Sequence, residues 1–374
     1  MARNFQVTRC NQCAKPPCVT ACPTAAMFQR PDGIVDFDKS VCIGCKACIA
    51  ACPYDAIFIN PEDHSAEKCN FCAHRIDVGL EPACVVVCPT EAIAIGNLND
   101  PTSRVAQIVN RGRVQVRRPE KDTQPKLFYV DGHEATLDPL AARQPDGGQY
   151  MWSQQVGDLP HPTRTSSPGN SSAAAIVSYD VSHHAPWDWR VSLYTWTKSI
   201  ATGAYLVPLL LVLTGVLKPQ AVLWHWLAPV VAGVFLVVTG IVLIADLAHP
   251  ERFYLIMVRP QWRSWLTRGA FIITGFGTVL AVHVLLSLLG VGQAQLWLAI
   301  LGAPLAILSA IYTAYLFAQA KARDLWQNPL LPAHLLVQAL LAGASVYLLA
   351  SSQPLGDALT PLAWILAGAA VAHL

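Results

Sequence analysis

The sequence predicts two unlike parts: a small α+β, cysteine-rich domain at the N-terminus, followed by an all-α transmembrane helix bundle of about six spans. Two observations carry this. All twelve cysteines of the 374-residue chain fall between Cys10 and Cys88. Beyond Trp187 the texture changes to apolar runs of roughly 20 residues, each long enough to cross a ~30 Å hydrocarbon core. Charged residues make up 13 % of the chain, about half the ~25 % usual in soluble domains. With a mean hydropathy of +0.37, part of the surface is expected to face lipid. The net charge of +2 gives no ground for a nucleic-acid partner.

The cysteine region covers 1–96. Residues 97–186 form a polar extension rich in Pro and Gly, basic from Arg111 to Arg118, with a strand and turn expected at Tyr129–Gly132. Its Pro160–Ala175 stretch of Pro, Ser, Asn and Ala reads as a flexible linker. The membrane part is 187–374, with spans expected at 191–217, 221–247, 266–290, 294–319, 330–351 and 355–374. A buried soluble bundle is excluded because six such runs in succession leave almost no polar faces. The loops on the side of the cysteine domain receive Arg190, Arg252, Arg259, Arg263, Arg268, Lys321 and Arg323, and the other side receives Lys218. Under the positive-inside rule this bias puts the cysteine domain on the cytoplasmic side of the inner membrane.

An even number of cysteines in a secreted chain would suit disulfides. No apolar leader segment or twin-arginine leader precedes Cys10, so a reducing compartment and metal ligation are expected instead. The cysteines form three quartets: Cys10, Cys13, Cys18 and Cys22; Cys42, Cys45, Cys48 and Cys52; Cys69, Cys72, Cys84 and Cys88. Each ends in a similar phrase, Cys22-Pro-Thr-Ala-Ala-Met, Cys52-Pro-Tyr-Asp-Ala-Ile and Cys88-Pro-Thr-Glu-Ala-Ile. A short turn lets three thiolates converge on three corners of a 4Fe-4S cube, with the fourth cysteine on the next helical turn. The second quartet has the ferredoxin spacing Cys-x2-Cys-x2-Cys-x3-Cys-Pro outright, which predicts a ferredoxin-like iron–sulfur domain; zinc remains the alternative for any single Cys-x2-Cys pair. In two-cluster ferredoxins the cysteine before proline ligates the other cluster. Such crossing predicts one cluster on Cys10, Cys13, Cys18 and Cys52, and another on Cys42, Cys45, Cys48 and Cys22. The third quartet has no partner for exchange, so a third cluster depends on Cys88 closing on Cys69, Cys72 and Cys84.

With their four- and eleven-residue gaps, the quartets resemble the electron-transfer subunits of the molybdopterin oxidoreductases of the dimethyl sulfoxide and polysulfide reductase type. That family has four quartets, and this chain matches the final three over roughly 5–96. The membrane half resembles the NrfD/PsrC-type subunits of polysulfide reductase, through Ala245-Asp-Leu-Ala-His-Pro-Glu-Arg-Phe-Tyr254, Arg263-Ser-Trp265 and Ala322-Arg-Asp-Leu-Trp-Gln-Asn-Pro329. The resemblance implies about eight helices and a quinone pocket near the iron–sulfur side. It also implies a molybdopterin-containing catalytic subunit as partner.

Ionisable groups at span ends are candidates for the quinone's proton exchange. Lys198 faces the pocket or snorkels to the interface. Asp246 accepts a proton or pairs with Arg252. His249 titrates in the useful range or is solvated, while Glu251 and Arg252 read as a structural charge pair. Tyr205 donates to a quinone carbonyl or packs. Trp187, Trp189 and Trp196 read as an interfacial belt. His225 and His283, near the outer ends of neighbouring spans, leave room for a b-type haem, and His334 has no partner at its depth.

The expected function is electron transfer and membrane anchoring in a quinone-linked oxidoreductase, either reducing quinone as a small sulfur compound such as sulfite is oxidised, or reducing polysulfide or a similar acceptor. A membrane-bound iron–sulfur redox sensor or assembly factor and a haem b-bearing cytochrome-type anchor are the alternatives.

Overall fold

The computed structural model describes residues 9–112, 114–137, 155–156, 159–160, 187–350 and 358–373. The linker expected from Pro160 to Ala175 falls, beyond Pro160 itself, outside them. In chain order the N-terminal elements are α1 (Pro17–Ala21), β1 (Met27–Gln29), β2 (Val35–Phe37), α2 (Ala47–Ala51), β3 (Ile57–Ile59) and β4 (Ala66–Lys68). Then follow α3 (Ala73–Ile76), α4 (Ala83–Val86), α5 (Arg104–Asn110), β5 (Val114–Gln115), β6 (Tyr129–Val130) and α6 (Glu134–Leu137). β1 pairs with β2, β3 with β4 and β5 with β6, all antiparallel. The strand and turn expected at Tyr129 form β6, with Asp131 left-handed behind it.

The repeat in the sequence becomes a structural one. A five-residue helix, a Cys-Pro step and a three-residue strand recur as α1–Cys22–β1 and α2–Cys52–β3. The third phrase has a left-handed residue at Glu91, matching Ala25 and Asp55, but no strand follows it. In all three quartets the residue before the second cysteine is also left-handed: Gln12 (φ 45°), Gly44 (φ 66°) and Phe71 (φ 60°). Holding a side-chain-bearing residue there costs about 1–2 kcal/mol.

The chain divides into two compact units. One comprises Met1–Pro16, Asp32–Ile34 and Cys69–Pro186; the other comprises Pro17–Pro31, Val35–Lys68 and Trp187–Leu374. The second quartet, with Cys18 and Cys22, therefore packs in one unit with the helical bundle.

The bundle is built from α7 (Trp189–Leu213), α8 (Ala228–Ala245), the short α9 (Leu255–Val258), α10 (Trp265–Leu288), α11 (Gly292–Ala318), α12 (Leu331–Ala350) and α13 (Leu359–His373). A π-turn at Leu223–Leu227 leads into α8. Among the described residues five helices are long and apolar enough to cross a membrane: Trp189–Leu213, Leu223–Ala245, Trp265–Leu288, Gly292–Ala318 and Leu331–Leu349. The run expected as the sixth span forms the apolar helix α13, Leu359–His373, and 351–357 and Leu374 lie outside the described residues. α7 is the central helix, 78 % buried against 28–33 % for the other four, and packs on α8, α11 and α12. Pro208 inside α7 cannot bond the carbonyl of Ala204. Tyr347 of α12 supplies the missing donor, its hydroxyl 2.6 Å from that oxygen. In lipid such a replacement is obligatory, because no water reaches the freed carbonyl.

Candidate functional site

Four thiols, Cys22, Cys42, Cys45 and Cys48, line one cavity together with Thr24, Met27, Gly44, Lys46 and Ala66. The backbone N–H groups of Met27 and Ala66 donate to the sulfurs of Cys22 and Cys42 at 3.4 and 3.5 Å. Burial pushes the thiols of Cys45, Cys48 and Cys22 up from the ordinary value, and for Cys45 and Cys48 neighbouring thiols add to the rise. As thiolates they therefore need positive charge inside the cavity. Among the described residues no three Cys, His, Asp or Glu side chains stand close enough to share one metal ion. Four thiols around one cavity suit the corners of a cube better than a single tetrahedral ion.

The other thiols are placed differently. Cys18 and Cys52 are buried in the same unit, while Cys10 and Cys13 lie in the first unit. In that first unit Cys69 and Cys84 are exposed and Cys72 and Cys88 half-buried. The side chain of Gln12 donates to the Cys69 carbonyl at 2.9 Å, and the guanidinium of Arg9 lies 3.9 Å from the Cys84 sulfur. The Ile93 N–H holds the Cys88 thiol below its ordinary value. Along the same stretch of sequence Val78, Leu80, Val86 and Val87 leave apolar side chains exposed.

The loops at one end of the bundle grip the thiol-lined cavity by its backbone. Arg252 donates to the carbonyls of Lys39 and Cys42 at 3.0 and 3.1 Å. The N–H groups of His249 and Ala248 reach the carbonyls of Ile43 and Gly44 at 3.2 and 3.4 Å. Gly44 is glycine for two reasons: its φ is positive, and a Cβ there would run into Ala248. From the start of α10, Ser264 bonds the Ala21 carbonyl at 2.8 Å and Thr267 that of Pro23 at 3.1 Å. Trp187 donates its indole N–H to the Cys45 carbonyl at 3.0 Å and stacks on Trp326, which stacks on Phe317. Trp187 is thus tied to the backbone of the second quartet and does not serve as an interfacial belt, whereas Trp189 and Trp196 are exposed as a belt requires.

The four residues expected at a quinone pocket do not meet at one point. His249 is built into the cavity's support, bonding the Asp63 carbonyl at 2.9 Å and Glu251 at 3.0 Å. Asp246 does not pair with Arg252. It faces Lys46 of the second quartet at 3.6 Å and Arg190 at 3.8 Å, while Arg252 pairs with Glu251 at 3.7 Å. Burial raises the Asp246 carboxyl above the ordinary range, against the pull of Lys46 and Arg190. Lys198 does not snorkel. It is fully buried, its amine bonded to the Ala310 carbonyl at 3.0 Å and to the Thr313 hydroxyl, and it sits 4.5 Å from the Tyr312 ring centre. Tyr194, one turn before Lys198, reaches the same Thr313. Tyr205 lies two turns further along α7, about 10 Å away, among Trp224, Phe276 and His283.

Tyr194, Tyr312 and Thr313 are thus neighbours of Lys198 that the sequence does not reveal. Their only trace there is a polar atom inside an apolar run. His334 is not alone either, since its ring lies 4.3 Å from that of His373.

Residues 1–98 match the family described as 4Fe-4S dicluster domain, and residues 178–353 match that described as polysulphide reductase, NrfD. A putative dimethyl sulfoxide reductase iron-sulfur subunit of Halobacterium salinarum is 33 % identical over 199 residues, 49 % of this chain and 72 % of the relative. The protein belongs to this family of reductase iron–sulfur subunits. A polysulfide reductase polypeptide of Wolinella succinogenes is 42 % identical over 34 % of this chain and 67 % of its own length. A tetrathionate reductase subunit of Salmonella typhimurium is 48 % identical over 36 % of this chain. The chain spans about half the length of that subunit and of the NrfC homologue of Haemophilus influenzae, 54 % and 55 %. With the NrfD match and five long apolar helices, this family member is a multi-pass membrane protein that joins a 4Fe-4S domain and an NrfD-type domain in one polypeptide.

Proposed function

We propose that this protein transfers electrons between a catalytic partner and membrane quinone, and anchors that partner to the membrane. Its 4Fe-4S clusters supply one-electron storage when bound. Cys22, Cys42, Cys45 and Cys48 hold one cluster. By their spacing, the other members of the first two quartets hold a second cluster, and Cys69, Cys72, Cys84 and Cys88 a third. The observation that carries the reading is the attachment of the thiol-lined cavity to the end of the bundle where Lys198, Tyr194 and Tyr312 lie buried. An electron leaving that cavity through Trp187 and its aromatic neighbours enters the helices at the level of these polar groups, which suit a quinone head. Lys198 and Asp246 serve its proton exchange, His249 fixes the loop that approaches the cavity, and Tyr205 stands deeper in the bundle. By resemblance the catalytic partner carries molybdopterin and acts on a small sulfur compound or a similar acceptor.

The test is iron and sulfide content, EPR and quinone-dependent cluster oxidation on the purified protein. Cys45→Ser is expected to lower iron by about four per molecule and to slow oxidation of the remaining clusters by quinone at least tenfold. An unchanged oxidation rate would show that electrons do not pass through this cavity. A redox sensor would hold clusters without turning over quinone, so the same assay separates it. The haem alternative is disfavoured by packing. His225 is bonded to Gln295 at 3.0 Å, and the ring of His283 is closed in by Trp224 at 4.7 Å and Tyr205 at 5.8 Å.

The loop charges support a cytoplasmic location for the cavity end, with seven Lys and Arg residues there against Lys218 opposite. A reporter inserted beside Lys218, between α7 and α8, is expected to read as external. An internal signal would reverse the orientation.

A further inference from the structure

The arginines at the end of the bundle near the thiol-lined cavity fall into two groups. Arg190 and Arg252 face the carboxylates of Asp246 and Glu251. Arg263 and Arg268, at the start of α10, are exposed, and among the described residues neither reaches a carboxylate. Arg268 is nevertheless held in place. Its Nε donates to the Trp262 carbonyl at 2.7 Å, and its guanidinium lies 4.8 Å from the Trp265 ring centre. Its two terminal amino groups make no further bond among the described residues. A fixed, planar cation of this kind matches the oxygens of a phosphate.

Apolar surface adjoins these arginines. The short α9 and the loop beside it leave Tyr254, Val258 and Trp262 exposed, and the Trp262 ring lies 4.8 Å from that of Phe271 on α10. Beyond Phe271 the exposed face of α10 continues through Thr274 and Thr278. Both hydroxyls turn back to helix carbonyls, those of Ala270 and Thr274, at 2.8 and 3.0 Å. Their hydrogens are thus used within the helix, and the face is left apolar. Unpaired arginines, then exposed aromatic rings, then the outer face of a membrane span follow the order of a phospholipid from head group to acyl chain.

We propose that Arg263 and Arg268 bind the head group of an anionic phospholipid whose chains lie along Phe271, Thr274 and Thr278. A catalytic partner would also cover exposed apolar residues, but this strip continues along a membrane span and so meets lipid. The same segment holds the thiol-lined cavity. The Gln261 N–H donates to the Pro23 carbonyl at 2.9 Å, and the hydroxyls of Ser264 and Thr267 bond the carbonyls of Ala21 and Pro23, on either side of Cys22. Arg263 and Arg268 bracket Ser264 and Thr267 in the chain. A head group shared by the two cations therefore ties down the turn that holds Cys22, and the lipid stabilises the cluster bound there. This site does not depend on the quinone reading.

The test uses the full-length protein with its clusters, purified in detergent, stripped of lipid and mixed with dioleoylphosphatidylglycerol or dioleoylphosphatidylcholine. Native mass spectrometry counts the lipid retained, and the loss of cluster absorbance on heating gives a midpoint. Retention of phosphatidylglycerol is expected to exceed that of phosphatidylcholine about tenfold or more, the scale that two arginines give with anionic lipid. The midpoint is expected to rise with phosphatidylglycerol alone. Arg263→Gln combined with Arg268→Gln is expected to abolish the preference and the rise, with the lipid-free midpoint near that of the parent protein. Lys218→Gln, at the opposite face, is expected to keep both. Should the double variant fail to fold, Arg268→Lys keeps the charge without the fork and is expected to lower retention. Equal retention of the two lipids by the parent protein overturns the proposal, as does undiminished retention in the arginine variants or an equal loss in Lys218→Gln. A midpoint raised as far by inorganic phosphate alone means a site for free anions and overturns the assignment to lipid. Retention without a rise in midpoint overturns the link to Cys22.

Discussion

Gly203→Leu is expected to destabilise the bundle by about 3–5 kcal/mol, the middle of what overpacking and a lost buried hydrogen bond cost together. α7 and α12 meet backbone to backbone at this position. A Cβ on Gly203 would run into the carbonyl of Ala339 and the backbone of Gly343, and one on Gly343 would run into Gly203. Helix association in lipid has no hydrophobic drive and depends on close packing, for which small residues at the seam are the usual device. A leucine there forces the helices apart, and overpacking of this sort costs about 1–3 kcal/mol. The separation also removes the Tyr347 hydroxyl from the Ala204 carbonyl, which Pro208 has already deprived of its helical partner. An unsatisfied buried carbonyl adds about 1–3 kcal/mol. Gly233 on α8 is the control, because nothing lies within 4 Å of a Cβ there. Thermal unfolding in detergent is expected to show Gly203→Leu far below the parent protein and Gly233→Leu close to it. Equal midpoints for the two variants would mean that the α7–α12 seam does not hold the bundle together.

What the sequence reveals, and what it hides, divides along the sequence separation of interacting residues. The cysteine turns are legible because they are local: two or three residues between thiols leave few conformations, and the left-handed residues at Gln12, Gly44 and Phe71 all occur at the same place in the turn. The long apolar runs are legible for the same reason, since a span is a property of about 20 consecutive residues. Pairings fail where sequence neighbourhood is taken for contact. Asp246 stands six residues from Arg252, yet its cations are Lys46 and Arg190, brought by a different loop and a different helix. Trp187 has the position of an interfacial anchor and instead bonds the carbonyl of Cys45.

Lys198→Met is expected to lower quinone-dependent cluster oxidation about 10²–10³-fold, within the range for loss of a positioned proton-transfer group, without loss of clusters. What decides this is the purpose of a buried amine. Lys198 has none of its surface exposed, and among the described residues it meets the Ala310 carbonyl, the Thr313 hydroxyl and the Tyr312 ring without a paired carboxylate. Placing an ionisable group there opposes folding, because burial in a low-dielectric interior penalises it unless fully compensated. Methionine fills a similar volume without a charge, and such replacements of buried ionic groups are often neutral or stabilising. A lysine kept only for structure would leave Thr313 and Ala310 short of a donor when removed, and the thermal midpoint would drop with little change in the rate per folded molecule. A lysine that serves the quinone gives the opposite pattern: the midpoint holds or rises while the rate collapses. Measuring both quantities on one preparation decides between them, and a rate within about threefold of the parent protein, far short of the 10²-fold loss expected for a proton-transfer group, would remove Lys198 from the proton exchange.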